Sequence, residues 1–175
     1  TDTRLFLHAN WLTGAASPNL DTKTSVVLSP MTTAFQGYPN YIFDDATSTM
    51  GAQSAQVFDG KLDATGSATI NMDVKPDGVA PGMLRANFNT MVFEQGGAFS
   101  TDRYACTYSP YKSYVGFQLP EGYKYNGILY TNVNHQILVA TVDEKGKPIS
   151  SQNLQVQVYK LNWRWWWDSY ENELA

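Results

Sequence analysis

Residues 152–168 read Gln152-Asn-Leu-Gln-Val-Gln-Val-Tyr-Lys-Leu-Asn-Trp-Arg-Trp-Trp-Trp-Asp168. The stretch opens as a strand. Leu154, Val156 and Val158 alternate with Gln155 and Gln157, the two-residue period of a half-buried sheet. From Tyr159 the bulky residues move to odd positions: Tyr159, Leu161, Trp163, Trp165 and Trp167. A strand changes its buried face only through a bulge, a twist or a move to another sheet. The pattern therefore predicts β structure with a change of partner inside one segment. Trp163, Trp165, Trp166 and Trp167 form a candidate interface. The favoured use of such rings is burial against a neighbouring domain. The alternative use is a platform on which sugar rings stack.

The rest of the chain carries the same period. Arg4 to Trp11 reads as a strand, with Leu5, Leu7, Ala9 and Trp11 on one face and His8 on the other. Gly14 to Asn19 reads as a turn. In the segment Thr22 to Leu28, Thr24, Val26 and Leu28 point inward, and Pro30 ends the strand. Met31 to Gln53 has no regular period and is rich in aromatics, including Tyr38, Tyr41 and Phe43; loops of that length are either functional or packed by their own side chains. Ala55 to Leu62 and Ala68 to Val74 flank Asp63-Ala-Thr-Gly66, which is a hairpin signal. Met83 to Phe93 and Ala98 to Tyr108 form a long hairpin about Gln95-Gly-Gly97. Six or seven strands with no helical period predict an all-β chain, an immunoglobulin-like antiparallel β-sandwich. Ser109-Pro110-Tyr-Lys-Ser113 reads as a linker or a crossing between sheets. Beyond it, Val115 to Leu119, His135 to Val142 and the Trp-rich strand make only about three strands, too few for a second complete sandwich. The expected organisation is a domain over 1–113 and a partial second β domain over 114–175.

Composition bounds the function. Hydrophobic residues at 43% allow a packed core. A net charge of −4, with 12 scattered Lys and Arg, argues against a nucleic-acid groove. The one cysteine, Cys106, makes neither an internal disulfide nor a zinc site by itself. No apolar run is long enough to span a membrane as a helix. No leader is visible at Thr1, and we read the chain as a section of a larger protein.

Catalytic constellations are missing from the pattern. The two histidines, His8 and His135, lack a nucleophile-elbow context and any metal-ligand spacing. Cys106 sits between Tyr104 and Tyr108 on the expected core face and reads as a small buried hydrophobe. Asp44-Asp45 with Asn40, or Asp73 with Asp77, offers oxygens but no calcium-loop spacing, so these read as solvated acidic turns. No catalytic, cofactor-binding or metal-ligating residue is therefore expected. Tyr38, Tyr41 and the Trp run are the candidates if the chain is instead a carbohydrate-binding or adhesin-type module.

Val158-Tyr-Lys-Leu-Asn-Trp-Arg-Trp-Trp-Trp-Asp168, preceded by Val142-Asp-Glu-Lys-Gly-Lys-Pro-Ile149, resembles the bacterial alpha-2-macroglobulins. Trp11-Leu-Thr-Gly-Ala-Ala16 resembles that family's Tyr-Leu-Phe-Gly-x-Pro strand end, with Thr13 where an aromatic is usual and Ala16 where proline is. Phe35-Gln-Gly-Tyr38 and Glu94-Gln-Gly-Gly97 resemble further landmarks. The resemblance implies macroglobulin-like domains, the second beginning the domain that carries the protease bait region, with the bait itself beyond Ala175. It implies a broad-spectrum endopeptidase inhibitor, a protease trap, in the bacterial cell envelope: periplasmic or on the outer surface, and membrane-anchored as a lipoprotein. Partners would be target proteases, met by the full-length protein, and neighbouring macroglobulin-like domains, with no nucleic acid and no small-molecule substrate. The family's covalent trapping uses a Cys and a Gln three residues later. Here Cys106 is followed by Thr107, Tyr108 and Ser109, so this section is expected to be non-catalytic scaffold, not an enzyme.

Overall fold

The computed structural model describes residues 4–72, 74–120, 129–150 and 153–158. Among them are eight strands and no helix: β1 (Arg4–His8), β2 (Asp21–Pro30), β3 (Gln53–Lys61), β4 (Ser67–Asn71), β5 (Leu84–Phe93), β6 (Phe99–Tyr108), β7 (Ser113–Gln118) and β8 (Leu138–Asp143). They form three antiparallel sheets, ordered β1-β4, β3-β2-β5-β6 and β7-β8.

The alternation in β2 does what its side chains dictate. Thr22, Thr24, Val26 and Leu28 are buried while Lys23 and Val27 face out. Opposite them on β5, Leu84, Ala86 and Phe88 are buried, in register with Pro30, Leu28 and Val26. Leu5 of β1 and Met72, just past β4, pack onto this cluster, so the two-stranded sheet lies over the four-stranded one. This is the expected sandwich. Two buried hydroxyls sit inside it: Thr24 Oγ1 and Thr90 Oγ1, on paired residues, are 3.0 Å apart and satisfy one another. The β5–β6 hairpin also forms as expected. Gly97 takes a positive φ at its turn, and Glu94 N–H donates to Ala98 O at 2.8 Å.

The turn at Asp63–Gly66 departs from expectation. Its local chemistry is that of a tight turn: Asp63 Oδ1 accepts from the N–H groups of Thr65 and Ser67 at 2.8 and 2.9 Å, and Gly66 has φ +78°. The strands on either side do not pair as a hairpin. β3 joins β2, whereas β4 crosses to β1 in the other sheet. The backbone around Gly66 explains the divergence. Ala9 N–H donates to Gly66 O, and a Cβ at Gly66 would stand 2.6 Å from Ala9 O and 3.0 Å from Ser17 N. The corner is thus pinned against the β1 turn, and buried Leu62 marks where the chain changes sheet. Turn residues specify a bend; which strands pair is set by what each face covers.

Two later strands also differ. His135–Ile137 lies before β8, exposed, so that strand starts three residues later than its apolar pattern implies. β8 does hold a central place: β7 pairs with one edge, and Val142 bridges Pro148 on the other, where Ile149 N–H donates to Thr141 O at 2.9 Å. Among the described residues that ladder runs as far as Ile149. Residues 153–158 therefore form no strand, and Leu154, Val156 and Val158 are 46%, 73% and 88% exposed. The half-buried strand expected there is not found. Tyr159, Leu161 and the candidate interface residues Trp163, Trp165, Trp166 and Trp167 lie outside the described residues.

Candidate functional site

The irregular stretch after β2 builds an aromatic cluster outside the sandwich. Phe35 and Phe43 are buried, and their rings meet edge to face, 4.8 Å between centroids at 79°. Tyr38 and Tyr41 flank them, Tyr38 at 6.1 Å from Phe43 and Tyr41 stacked over it at 6.2 Å. Edge-to-face and offset contacts are the favoured geometries of aromatic pairs. The loop is thus packed by its own aromatics, the second of the two fates open to it.

Polar ties fix the loop to the segment preceding β5. Thr33 N–H is shared between both carboxylate oxygens of Asp44 at 3.1 Å. The buried Thr33 hydroxyl accepts from Met83 N–H at 2.7 Å, and Asp45 N–H donates to Pro81 O at 2.7 Å. Gly82 is required here: a Cβ on it would collide with Asp44 Oδ1 and Thr33 Oγ1. Asp44 and Asp45 are consumed by these contacts and by the bonds from Thr47 N–H and Oγ1 to Asp45 Oδ1. The latter hold the Asp45 carboxyl below the ordinary carboxylate range.

Into this loop fits the start of the next stretch of chain. Tyr114 and Val142, a facing pair on β7 and β8, are 4% and 0% exposed and share one core with Phe35, Phe43 and Met83. The Tyr114 ring lies 5.6 Å from Phe35. Its hydroxyl meets Ser109 Oγ at 2.6 Å; burial pushes the phenol above its ordinary pKa, and the Ser109 contact opposes that rise. Two main-chain bonds, Ile42 N–H to Phe117 O at 2.8 Å and Phe117 N–H to Ile42 O at 3.0 Å, stitch the loop to β7. The Ser109–Ser113 segment is a tied crossing and not a slack linker: Tyr111 hydroxyl donates to Ala80 O at 2.7 Å. Gly116 and Gly146 set the closeness of approach. A Cβ on Gly116 would come within 2.6 Å of three carbons of the Phe43 ring, and one on Gly146 within 2.7 Å of Phe35 Cδ1. Gly146 is presented by a turn built like the one at Gly66. Asp143 Oδ1 accepts from Lys145 and Lys147 N–H at 2.8 and 2.9 Å, and Gly146 has φ +80°. We call this assembly the joint. The outer face of β7–β8, with Val115, Phe117 and Val139, is exposed.

The residues weighed for chemistry are dispersed over other places. His8 Nδ1 lies 3.0 Å from Ser67 Oγ on β4, and His135 Nε2 lies 2.9 Å from Tyr130 O. Cys106 is half-buried on β6 opposite Ala86, and burial raises its thiol pKa. No group of three His, Cys, Asp or Glu able to hold a metal ion occurs among the described residues. Tyr38 and Tyr41, the sugar candidates in the loop, stand perpendicular at 84°, which is not a flat platform. The sequence reading missed the joint, although its signal was present in the Asp-x-x-Gly turn at Asp143 and in a glycine, Gly116, inside a strand.

The sequence model described as bacterial alpha-2-macroglobulin MG5 domain matches residues 1–110, and that described as bacterial macroglobulin domain 6 matches residues 119–175. The chain belongs to the bacterial alpha-2-macroglobulin family. Solved alpha-2-macroglobulins share its fold. The native Escherichia coli protein matches with a TM-score of 0.55 at 15% identity, covering 83% of this chain and 10% of its own. The Escherichia coli protein activated by porcine elastase matches with a TM-score of 0.56 at 18% identity, over 83% and 13%. The trypsin-activated form gives 0.54 at 14%, over 85% and 11%. The chain thus spans about a tenth of the length of these alpha-2-macroglobulins. A comparison with curated proteins gives no match.

Proposed function

We propose that this chain is a scaffold section of a bacterial alpha-2-macroglobulin-type protease trap, without catalysis of its own. Residues 1–113 would be one macroglobulin-like sandwich, and residues 114–175 the start of the next, the bait-bearing one. The parent protein would work in the cell envelope, periplasmic or at the outer surface and lipid-anchored, and its partners would be target proteases.

The observation that carries the reading is the joint. A trap fired by a single cut needs an intact state held away from its minimum, and the released energy must move whole bodies without being lost in a slack connection. Phe35, Phe43, Tyr114 and Val142 make one core that would span the proposed boundary, and Gly116 and Gly146 let backbone sit directly on ring. Such a contact transmits displacement because packed cores are bistable and not continuously deformable.

The test uses the parent protein. Mixed with an endopeptidase, it is expected to shield a large protein substrate while leaving a short chromogenic peptide accessible. Gly116→Val in the parent should leave bait cutting intact and weaken the shielding. A parent that is cut and shields nothing, or a 175-residue chain that shields by itself, would refute the scaffold reading.

A further inference from the structure

The outer face of the four-stranded sheet divides into two unlike halves. On β2 and β3 its polar groups hold one another. Lys23 Nζ lies 3.2 Å from Asp59 Oδ2, Lys61 Nζ lies 3.3 Å from Asp21 Oδ1, and Gln56 Nε2 donates to Asp59 Oδ2 at 3.2 Å. On β5 and β6 the polar groups are left open. Residues directly opposite in an antiparallel pair share a face. Val27, Asn87 and Ala105 therefore make one row across the sheet, and Ser25, Asn89 and Arg103 make the next. The two rows are about 7 Å apart along the strands. The Asn87 and Asn89 amides and the Arg103 guanidinium form no hydrogen bond or ion pair among the described residues. Asp102, beside Arg103 in sequence, is turned to the opposite face. Asn89 Oδ1 is buried without a partner, a standing cost to the fold. Val27, Asn87, Asn89, Arg103 and Ala105 together line a depression of about 320 Å³.

We infer that this depression binds one uronic-acid residue of an anionic glycan. Its carboxylate would sit on Arg103, its hydroxyls on the Asn87 and Asn89 amides, and a C–H face of its ring over Val27 and Ala105. Three demands of the site select that ligand. The unpaired guanidinium is a planar fork that fits a carboxylate with two parallel hydrogen bonds. The orphaned Asn89 oxygen needs a donor, which an ionised carboxylate alone lacks and a hydroxyl supplies. The side chains of Val27 and Ala105 offer only methyl groups, so what covers them is apolar. A sugar acid carries all three features on a single ring. The volume lies at the lower limit for ligand pockets and admits one ring, not several. An acidic peptide fits less well. β5 is paired on both edges, with β2 and with β6, so an extended segment finds no free backbone to bond there. No hydrogen bond holds the Asn89 amide, so turning its oxygen outward to a hydroxyl breaks no contact of that kind. The inference is independent of the trap reading, and either can fail without the other.

Titration of the 175-residue chain with sodium glucuronate, followed by two-dimensional NMR of the amides, tests the inference. Half-saturation is expected at about 1–10 mM, the affinity of a single ring on an open face. The shifts should centre on Asn87, Asn89, Arg103 and Ala105. Glucose, which lacks the carboxylate, should bind about tenfold more weakly, and so should glucuronate to Arg103→Gln. Asn89→Val should also lose about tenfold in binding, yet melt no lower than the unsubstituted chain, because it removes an unsatisfied oxygen and suits a strand. A residue kept for packing alone would lower the melting temperature and leave binding unchanged. No shift on this face at about 100 mM glucuronate overturns the inference. So do equal responses to glucose and glucuronate, or full binding by Arg103→Gln. Inorganic phosphate that matches glucuronate makes the face a bare anion site and overturns it too. A glutamate-rich peptide that shifts the same amides more strongly does the same, because the occupant is then a protein.

Discussion

The ring of Phe43 lies flat enough on Gly116 that a methyl group at the glycine would overlap Cδ1, Cε1 and Cζ together. Phe43 is itself buried and held between Phe35 and Tyr41. Gly116→Ala is expected to destabilise the chain by about 1–3 kcal/mol, the usual cost of overpacking a filled core. Gly37→Ala is the matched control in the same loop, since a Cβ there meets nothing within 4 Å. Urea titrations of the two variants check this; an unchanged midpoint for Gly116→Ala would show that the joint is loose.

The buried hydroxyl pair in the sandwich gives a second expectation. Thr24 and Thr90 satisfy one another across β2 and β5. Either single Thr→Val change strands one hydroxyl in an apolar core and should cost about 1–3 kcal/mol. The double change removes both polar groups together with their hydrogen bond, and should cost less than the sum of the singles. A double-mutant cycle measures the coupling; additive losses would mean that the two oxygens do not depend on each other.

Acid should loosen the two Asp-x-x-Gly corners. The hydrogen bond from the Thr65 hydroxyl, with the N–H groups of Ser67 and Thr65, lowers the Asp63 pKa; at Asp143 the chief cause is the Lys147 N–H. A carboxyl whose folded pKa is depressed binds fewer protons folded than unfolded. Its contribution is complete above the unfolded value of about 3.9 and fades as pH falls through the lower folded value. Asp63→Asn and Asp143→Asn keep an acceptor and delete the ionisation. The double variant is therefore expected to show a shallower loss of melting temperature between pH 5 and pH 2 than the parent sequence, to an extent thermal scans at several pH values would measure.

Cys106 should be a sluggish nucleophile. Burial raises its pKa, with Arg85 opposing, so the thiolate fraction at pH 8 is below that of a free cysteine. Alkylation of the folded chain is expected to be slower than that of a small thiol at the same pH, and to reach the small-thiol rate in denaturant. Equal rates in the folded state would place the sulfur in open solvent.

Period-2 alternation made the sandwich legible where a strand has one wet and one dry face, as β2 and β5 do; β6 is exposed on both faces from Phe99 to Ala105. Val26, Leu28 and Phe88 fell on the dry side as their spacing required. The Asp63 corner was legible as a bend and illegible as a change of sheet, since the deciding contact, Gly66 on Ala9, joins residues far apart in the sequence. Leu154, Val156 and Val158 alternate, yet no strand pairs with them among the described residues, so alternation states a capacity to pair and not a partner. The joint was hidden for a related reason. Its rings sit in a stretch with no period, and its permissive residues are glycines, whose contribution is a missing side chain. The Trp run at Trp163, Trp165, Trp166 and Trp167 falls outside the described residues.

The corner at Asp63 has a further consequence, in time and not in space. Because it sends β4 back to β1, His8 waits 59 residues for its partner Ser67. On a ribosome adding about 5–20 residues per second, that delay is about 3–12 s. Through that interval β1 has emerged without its β4 partner, and β2 and β3 can already pair through the following residues. Closing so long a loop is slow by entropy alone. The nascent segment around Phe6 is therefore a place where a chaperone would bind, and where a stalled chain would stick to another.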